Sequence, residues 1–246
     1  NTTAFKKSYS NFSDIYSKNI GDNPQGFSGM GVINDSPRKQ MFQGPLKQTG
    51  GALDLAVSGL GFLTLASVNN SENRFYTRDG SLGLSNNGEV INHQGLNLLA
   101  HPVVANATYN PAILEKVIIP PNRIDNLGNK RILTNVNVSP SGVLKAIYGL
   151  DEEIVIAKIP LTSFESMEAL ISKGNNLFKP STQSGEPIVG IALEENMGEI
   201  IPGYLEGSNV EITDELVKML KYQQAYSGNS RLLQTEIDIT KRLIDS

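Results

Sequence analysis

The sequence predicts a mainly β protein, an antiparallel β-rich core domain followed by one long C-terminal α-helix. Three observations carry this. From Leu53 to about Gly207, short runs of alternating apolar and polar residues are broken at close intervals by turn residues. Asp79-Gly80, Asn87-Gly88 and Gln94-Gly95 stand between such runs, as residues that reach positive φ do in tight hairpins. From Thr213 to Ser246 there is no proline and one glycine, Gly228, and apolar residues recur at three- and four-residue steps.

Taken in order, Leu53 to Val57 and Leu60 to Leu65 read as the first two strands, parted by Ser58-Gly59. Arg74 to Arg78 and Ser81 to Leu84 follow as a hairpin about Asp79-Gly80, then Glu89 to Ile91 and Leu96 to Leu99. Residues 53–100 are thus expected to form an antiparallel meander. Residues 101–131 hold Pro102, Pro111, Pro120 and Pro121, and proline cannot donate to a sheet ladder. They read as an irregular connection or small lobe with one strand near Val117-Ile118-Ile119. Strands resume at Ile132 to Val138, Val143 to Tyr148 and Ile154 to Ile159, with a turn at Ser139-Pro140-Ser141-Gly142. Ser166 to Ile171 reads as a short helix stopped by Gly174. Three regions result: an extended segment 1–29, a β-rich core 30–207 containing the 101–131 lobe, and the helical segment 208–246.

Composition narrows the function. The 246 residues are 39% hydrophobic and 19% charged, with a formal net charge of −4 and no basic run, so nothing marks a nucleic-acid partner. No stretch reaches the roughly 18 to 20 apolar residues of a membrane span, so no membrane insertion is expected. No apolar segment follows Asn1 to Lys7 as a signal peptide would require. With no cysteine there is no disulfide framework and no thiolate ligand or nucleophile.

No catalytic set assembles. His93 and His101 read as solvated turn residues without metal-ligand spacing, so no metal and no cofactor is expected. Asp151-Glu152-Glu153 and Glu194-Glu195 read as wet turns, since catalytic carboxylates must be held apart in unequal environments. Gly26, Gly29 and Gly31 lack the lysine-serine or lysine-threonine ending of a phosphate loop. The chain is therefore not expected to be an enzyme.

The helix is the candidate site. Thr213 is placed to cap it, with Asp214 and Glu215 in the first turn and Lys241 and Arg242 near the end, matching the helix dipole. Leu216, Leu220, Tyr226, Leu233, Ile237, Leu243 and Ile244 give it an apolar stripe, interrupted by Gln223, Asn229 and Ser230. A stripe spread over about 30 residues, roughly 45 Å, is longer than a compact β domain can cover. Part of it must pack on another helix, and this chain offers none. These residues are the expected self-assembly surface, and those beyond Tyr226 are expected to order only on assembly.

Several separated blocks resemble the family of flagellar hook and rod proteins. The first is Asn1 to Ser8 with Phe12 to Tyr16. The second is Gln43 to Gly50, Leu53 to Gly59 and Gly61-Phe62, extended by Tyr76 to Gly80 and Asn92 to Leu98. The third is Gly174 to Phe178, Ser184-Gly185, Gly203 to Val210 and the closing helix. The resemblance implies a β domain built from both halves of the chain, with terminal helices pairing in a coiled coil that lines a hollow axial tube. It implies homo-oligomerisation in a helical tube beside other flagellar axial proteins, torque transmission, export through the flagellum's own type III channel, and location in the hook or basal body. It also implies an N-terminal helix ahead of Asn1, and a departure of the local backbone at Ala4, where the family carries glycine. Phe12 to Tyr16 and Ser208 to Thr213 look like hook proteins, whereas the short section before Ile132 and the overall length look like rod proteins. A polysaccharide-cleaving β-solenoid would need a repeat and a carboxylate cleft that are not seen. A secreted binding module or adhesin would leave the striped helix unexplained.

Overall fold

The computed structural model describes the chain apart from residues 1, 11, 17–28, 35–36, 68–69, 105–107, 112, 125–127, 150–151, 195 and 245–246. Two units are distinguished, Asn1–Asn209 and Val210–Ser246.

The first unit is built on a 13-stranded antiparallel sheet. Its main path runs through Asn122–Ile124, Lys130–Val138, Val143–Tyr148, Glu152–Lys158, Asn97–Val104, Leu63–Ser67, Asn70–Thr77, Leu177–Lys179 and Ile171–Gly174. Short strands, including Val90–Asn92 and Glu115–Lys116, branch from Asn97–Val104. Alternation along Val143–Tyr148 sends Leu144, Ala146 and Tyr148 inward. There they join Leu55, Leu63, Leu65, Val90, Leu98, Ile119 and Ile159 in the main core. A second cluster packs Met41, Phe62, Tyr76, Phe164, Leu170 and Phe178. Its rings meet edge to face, with Tyr76 and Phe164 centred 4.8 Å apart.

Two of the three expected hairpin turns are present. Gly88 (φ 79°) turns Leu82–Leu84 into Val90–Asn92, and Gly95 (φ 77°) turns Val90–Asn92 toward Asn97. Asp79-Gly80 is not a hairpin. Neither residue has positive φ, and Asn70–Thr77 pairs with Leu63–Ser67 and Leu177–Lys179 instead of with Leu82–Leu84. Gly80 is needed for close approach, because an added Cβ would fall 1.8 Å from the Leu55 carbonyl oxygen. Nor is the meander continuous, since Leu55–Ser58 pairs with Glu199–Pro202, far away in sequence.

Around Val117-Ile118-Ile119 the strand is Glu115–Lys116, while Val117 and Ile119 drop into the core. The helix expected over Ser166 to Ile171 shrinks to a 3-10 turn, Met167–Ala169. Leu170 turns extended (φ −65°, ψ 139°) to enter the aromatic cluster, and β-branched Ile171 begins a strand.

The second unit is the helix Ile212–Ile244, 33 residues and about 50 Å long. Asp214 and Glu215 lie in its first turn and Lys241 and Arg242 in its last. The Glu215 amide bonds the Glu211 carbonyl, which puts Glu211 at the cap and Thr213 inside the first turn. The helix is not long and apolar enough to cross a membrane.

Candidate assembly interface and the junction of the chain ends

Within the helix, Leu216, Met219, Gln223, Tyr226, Ser230, Leu233, Ile237, Thr240 and Ile244 follow one another at alternating three- and four-residue steps. At 100° per residue they form one stripe, with Leu220 at its margin. Gln223 and Ser230 interrupt it, and Asn229, like Leu220, lies at its margin. Leu243 does not fall on this stripe. With Leu232 and Ile239 it forms a second, shorter one roughly 120° around the helix axis. None of the helix's residues is buried. Leu216, Leu220, Tyr226, Leu233, Ile237, Leu243 and Ile244 are between 49% and 78% exposed.

In the first unit, segments from both ends of the chain converge. Leu46–Gln48 pairs with Tyr204–Glu206, the Ala4 amide bonds the Glu206 carbonyl at 2.8 Å, and the Gly207 amide bonds Pro45 O at 2.7 Å. Asn209 accepts from the Lys7 amide at 2.8 Å through Oδ1 and donates to Gln40 O at 2.9 Å through Nδ2. Asn176 donates to Thr3 O at 2.6 Å, and the Thr3 hydroxyl donates to Asp79 Oδ2 at 3.3 Å. Ala4 is 1% exposed with φ 52°. This alanine takes the left-handed conformation that glycine adopts freely.

At the centre lie three buried charges. Lys6 Nζ is 2.5 Å from Glu206 Oε1 and 2.7 Å from Phe42 O. The same Oε1 accepts from the Gly44 amide at 2.8 Å. Arg78 NH1 stands 3.6 Å from Glu206 Oε2, and Arg78 NH2 donates to Gly59 O at 2.6 Å. Burial holds Lys6 below its ordinary value, with the Glu206 hydrogen bond and charge opposing and Arg78 adding to the shift. Burial likewise lowers Arg78, against the pull of Glu206. Two cations around one carboxylate make the cluster intolerant of losing Glu206.

Sequence reasoning missed this cluster, since lysine, arginine and glutamate are ordinarily exposed. The available signal was that Lys6, Arg78 and Glu206 each lie inside a block that carries the family resemblance. His101 is also a correction. It is 2% exposed in the strand Asn97–Val104, with Nδ1 2.8 Å from Ile113 O and its ring stacked on Tyr109, while His93 is exposed as expected. Among the described residues no group of three or more potential metal ligands gathers. Gly26, Asp151 and Glu195 lie outside the described residues.

Comparison with known proteins gives the class first. Residues 56–146 match the family described as flagellar hook protein FlgE/F/G D1 domain, and residues 201–246 match flagellar basal body rod FlgEFG protein C-terminal. The flagellar basal-body rod protein FlgG of Buchnera aphidicola subsp. Schizaphis graminum is 30% identical over 254 residues, covering 98% of this chain and 87% of the relative. FlgG of Borreliella burgdorferi is 29% identical, covering 96% and 84%. The flagellar hook protein FlgE of Brucella abortus is 32% identical over 113 residues, covering 46% of this chain and 28% of the relative. The chain belongs to the flagellar hook and basal-body rod protein family and is a structural protein of the flagellum.

Proposed function

We propose that this chain is a rod-type axial subunit that self-assembles through its C-terminal helix into the flagellum's hollow tube and carries torque along it. The span of the likeness carries the choice of rod over hook. FlgG relatives match almost end to end, whereas the hook protein shares 28% of its own length. The helix supports assembly, because a stripe with a 3.5-residue period is the pattern that left-handed coiled coils bury. Its polar members, Gln223 and Ser230, are of the kind that set register at some cost in stability.

On this reading the division into a β unit and a helical segment has a mechanical sense. The junction of Lys6, Arg78, Glu206 and Asn209 ties the start and end of the β unit together beside the point where the helical segment begins. Force carried along the helix then reaches a point held by two parts of the chain. Export in an unfolded form and partnership with other axial proteins belong to the same reading. Negative-stain microscopy of the concentrated chain tests it, with tubes or filaments expected and a persistent monomer contradicting it. Immunogold labelling of isolated flagella then separates the two locations. Label in the basal-body rod is expected, and label along the hook would contradict the rod assignment.

A further inference from the structure

The segments that join the ends of the β unit stand apart from its apolar cores. No residue of 2–9, 42–48 or 203–209 belongs to the main cluster or to the aromatic one. What holds these segments together is chiefly polar. To the bonds of Thr3, Ala4, Lys6 and Lys7 given above are added the Asn209 amide to Phe5 O at 3.3 Å and the Gln40 amide to Lys7 O at 2.8 Å. Ser8–Tyr9 pairs with Arg38–Lys39, and Lys39 Nζ lies 5.2 Å from the centre of the Phe5 ring.

The preceding strand is anchored differently. Glu199–Pro202 pairs with Leu55–Ser58, and Ile200 is fully buried in the main core. Gly203, at φ 74°, stands between that strand and Tyr204–Glu206. The change from apolar to polar anchoring therefore falls on a left-handed glycine, where the chain bends without side-chain strain. The two kinds of anchoring also respond differently to water. Opening an apolar cluster exposes hydrocarbon with nothing gained in exchange. Opening the polar junction releases Lys6 and Glu206 together, so both charges recover the hydration that burial removed. The freed backbone groups bond water, and the freed ends regain conformational entropy.

We infer that residues 2–9 and 203–209 form one latch, seated on residues 38–48, that opens and shuts as a unit while the sheet and both apolar clusters stay formed. Gly203 is the hinge of the C-terminal limb. Arg78 stays with the body of the unit, still bonded to Gly59 O, and water reaches it through the opened junction. The C-terminal limb runs on into the helical unit that starts at Val210. An open latch thus lets both ends of the β unit realign without loss of a core. The latch belongs to the single chain, so it stands or falls independently of whether the helix assembles.

Native-state hydrogen exchange on the full chain, kept dilute and monomeric in rising sub-denaturing urea, tests it. The amides of Ala4, Gln40, Gly44, Gly207 and Asn209 report the latch. Those of Val117 and Ile159, which bond Leu98 O and Gly142 O, report the body. The five latch amides should share one opening, at least about tenfold more frequent than that of the body amides. Their exchange should also depend less steeply on urea, because less surface is exposed. Asn209→Ala removes the side-chain bonds to the Lys7 amide and Gln40 O. It should speed exchange at Ala4, Gly44 and Gly207 by one common factor, although none of these amides bonds that side chain. Latch and body amides that exchange at one rate with one urea slope would overturn the inference, since the junction would then open only with the cores. Scattered rates among the five, or an Asn209→Ala effect confined to Lys7 and Gln40, would overturn it too, by showing independent fraying.

Discussion

Replacing Glu206 by glutamine keeps its shape and removes its charge, leaving Lys6 and Arg78 as buried cations with no anion between them. Breaking a buried ion pair in this way costs about 3–5 kcal/mol. Glu206→Gln is therefore expected to lower unfolding stability by that order in urea titrations. Lys6→Met added to it should cost less than the sum of the two single changes, because the second removes a charge the first has stranded. Gly80→Ala should be equally severe, since its Cβ cannot coexist with Leu55 O. At high pH Tyr76 is one relevant residue, raised above its ordinary value of 10.0 chiefly by burial, as Tyr148 also is. The unfolded chain ionises Tyr76 first, so this residue's contribution is intact below about pH 10 and is lost as pH rises beyond it. Lys6 works the other way, because its lowered folded value eases the penalty of burial as pH climbs toward 10.5. Tyr76→Phe should then keep more of its neutral-pH stability at pH 11 than the parent does, read from paired thermal melts. An unchanged alkaline loss would show that Tyr76 contributes no part of it.

At the scale of elements, the helix and the local hairpins were legible in the sequence because their signals are local. A 3.5-residue rhythm without proline specifies Ile212–Ile244, and glycines at positive φ specify the turns at Gly88 and Gly95. Asp79-Gly80 shows where local reading fails. The same dipeptide serves a hairpin or a close backbone approach, and only the partner Leu55, held by Glu199–Pro202, decides between them. The junction was illegible for a similar reason. Lys6 and Glu206 are 200 residues apart, and nothing in their local composition says that both are buried. The helix also yields a prediction of its own. Without a partner, a single helix draws little stability from propensity. Backbone amides beyond Tyr226 should exchange with solvent rapidly in the monomer and be protected in the polymer. Strong protection in both states would mean the helix is complete without neighbours.

At the scale of the whole molecule, the work divides between a β unit with its own cores and a helix that has no buried residue. Family membership was readable in advance because the blocks that carry it span nearly the whole chain. The separation of rod from hook was not, since the section before Ile132 and the segments around Phe12 and Ser208 pointed in different directions. The extent of the match to FlgG relatives tips the choice toward the rod. The central claim is that the helix stripe is an assembly surface and contributes little to the stability of the isolated subunit. Leu233→Ser/Ile237→Ser tests this most directly, with polymer formation and the thermal unfolding of the monomer measured on the same preparation. Each lost aliphatic should weaken the interface by about 2–5 kcal/mol. Polymers are expected to disappear while the β unit's melting temperature stays within a few degrees of the parent. Normal polymers, or a collapse of the monomer's melting transition, would contradict it.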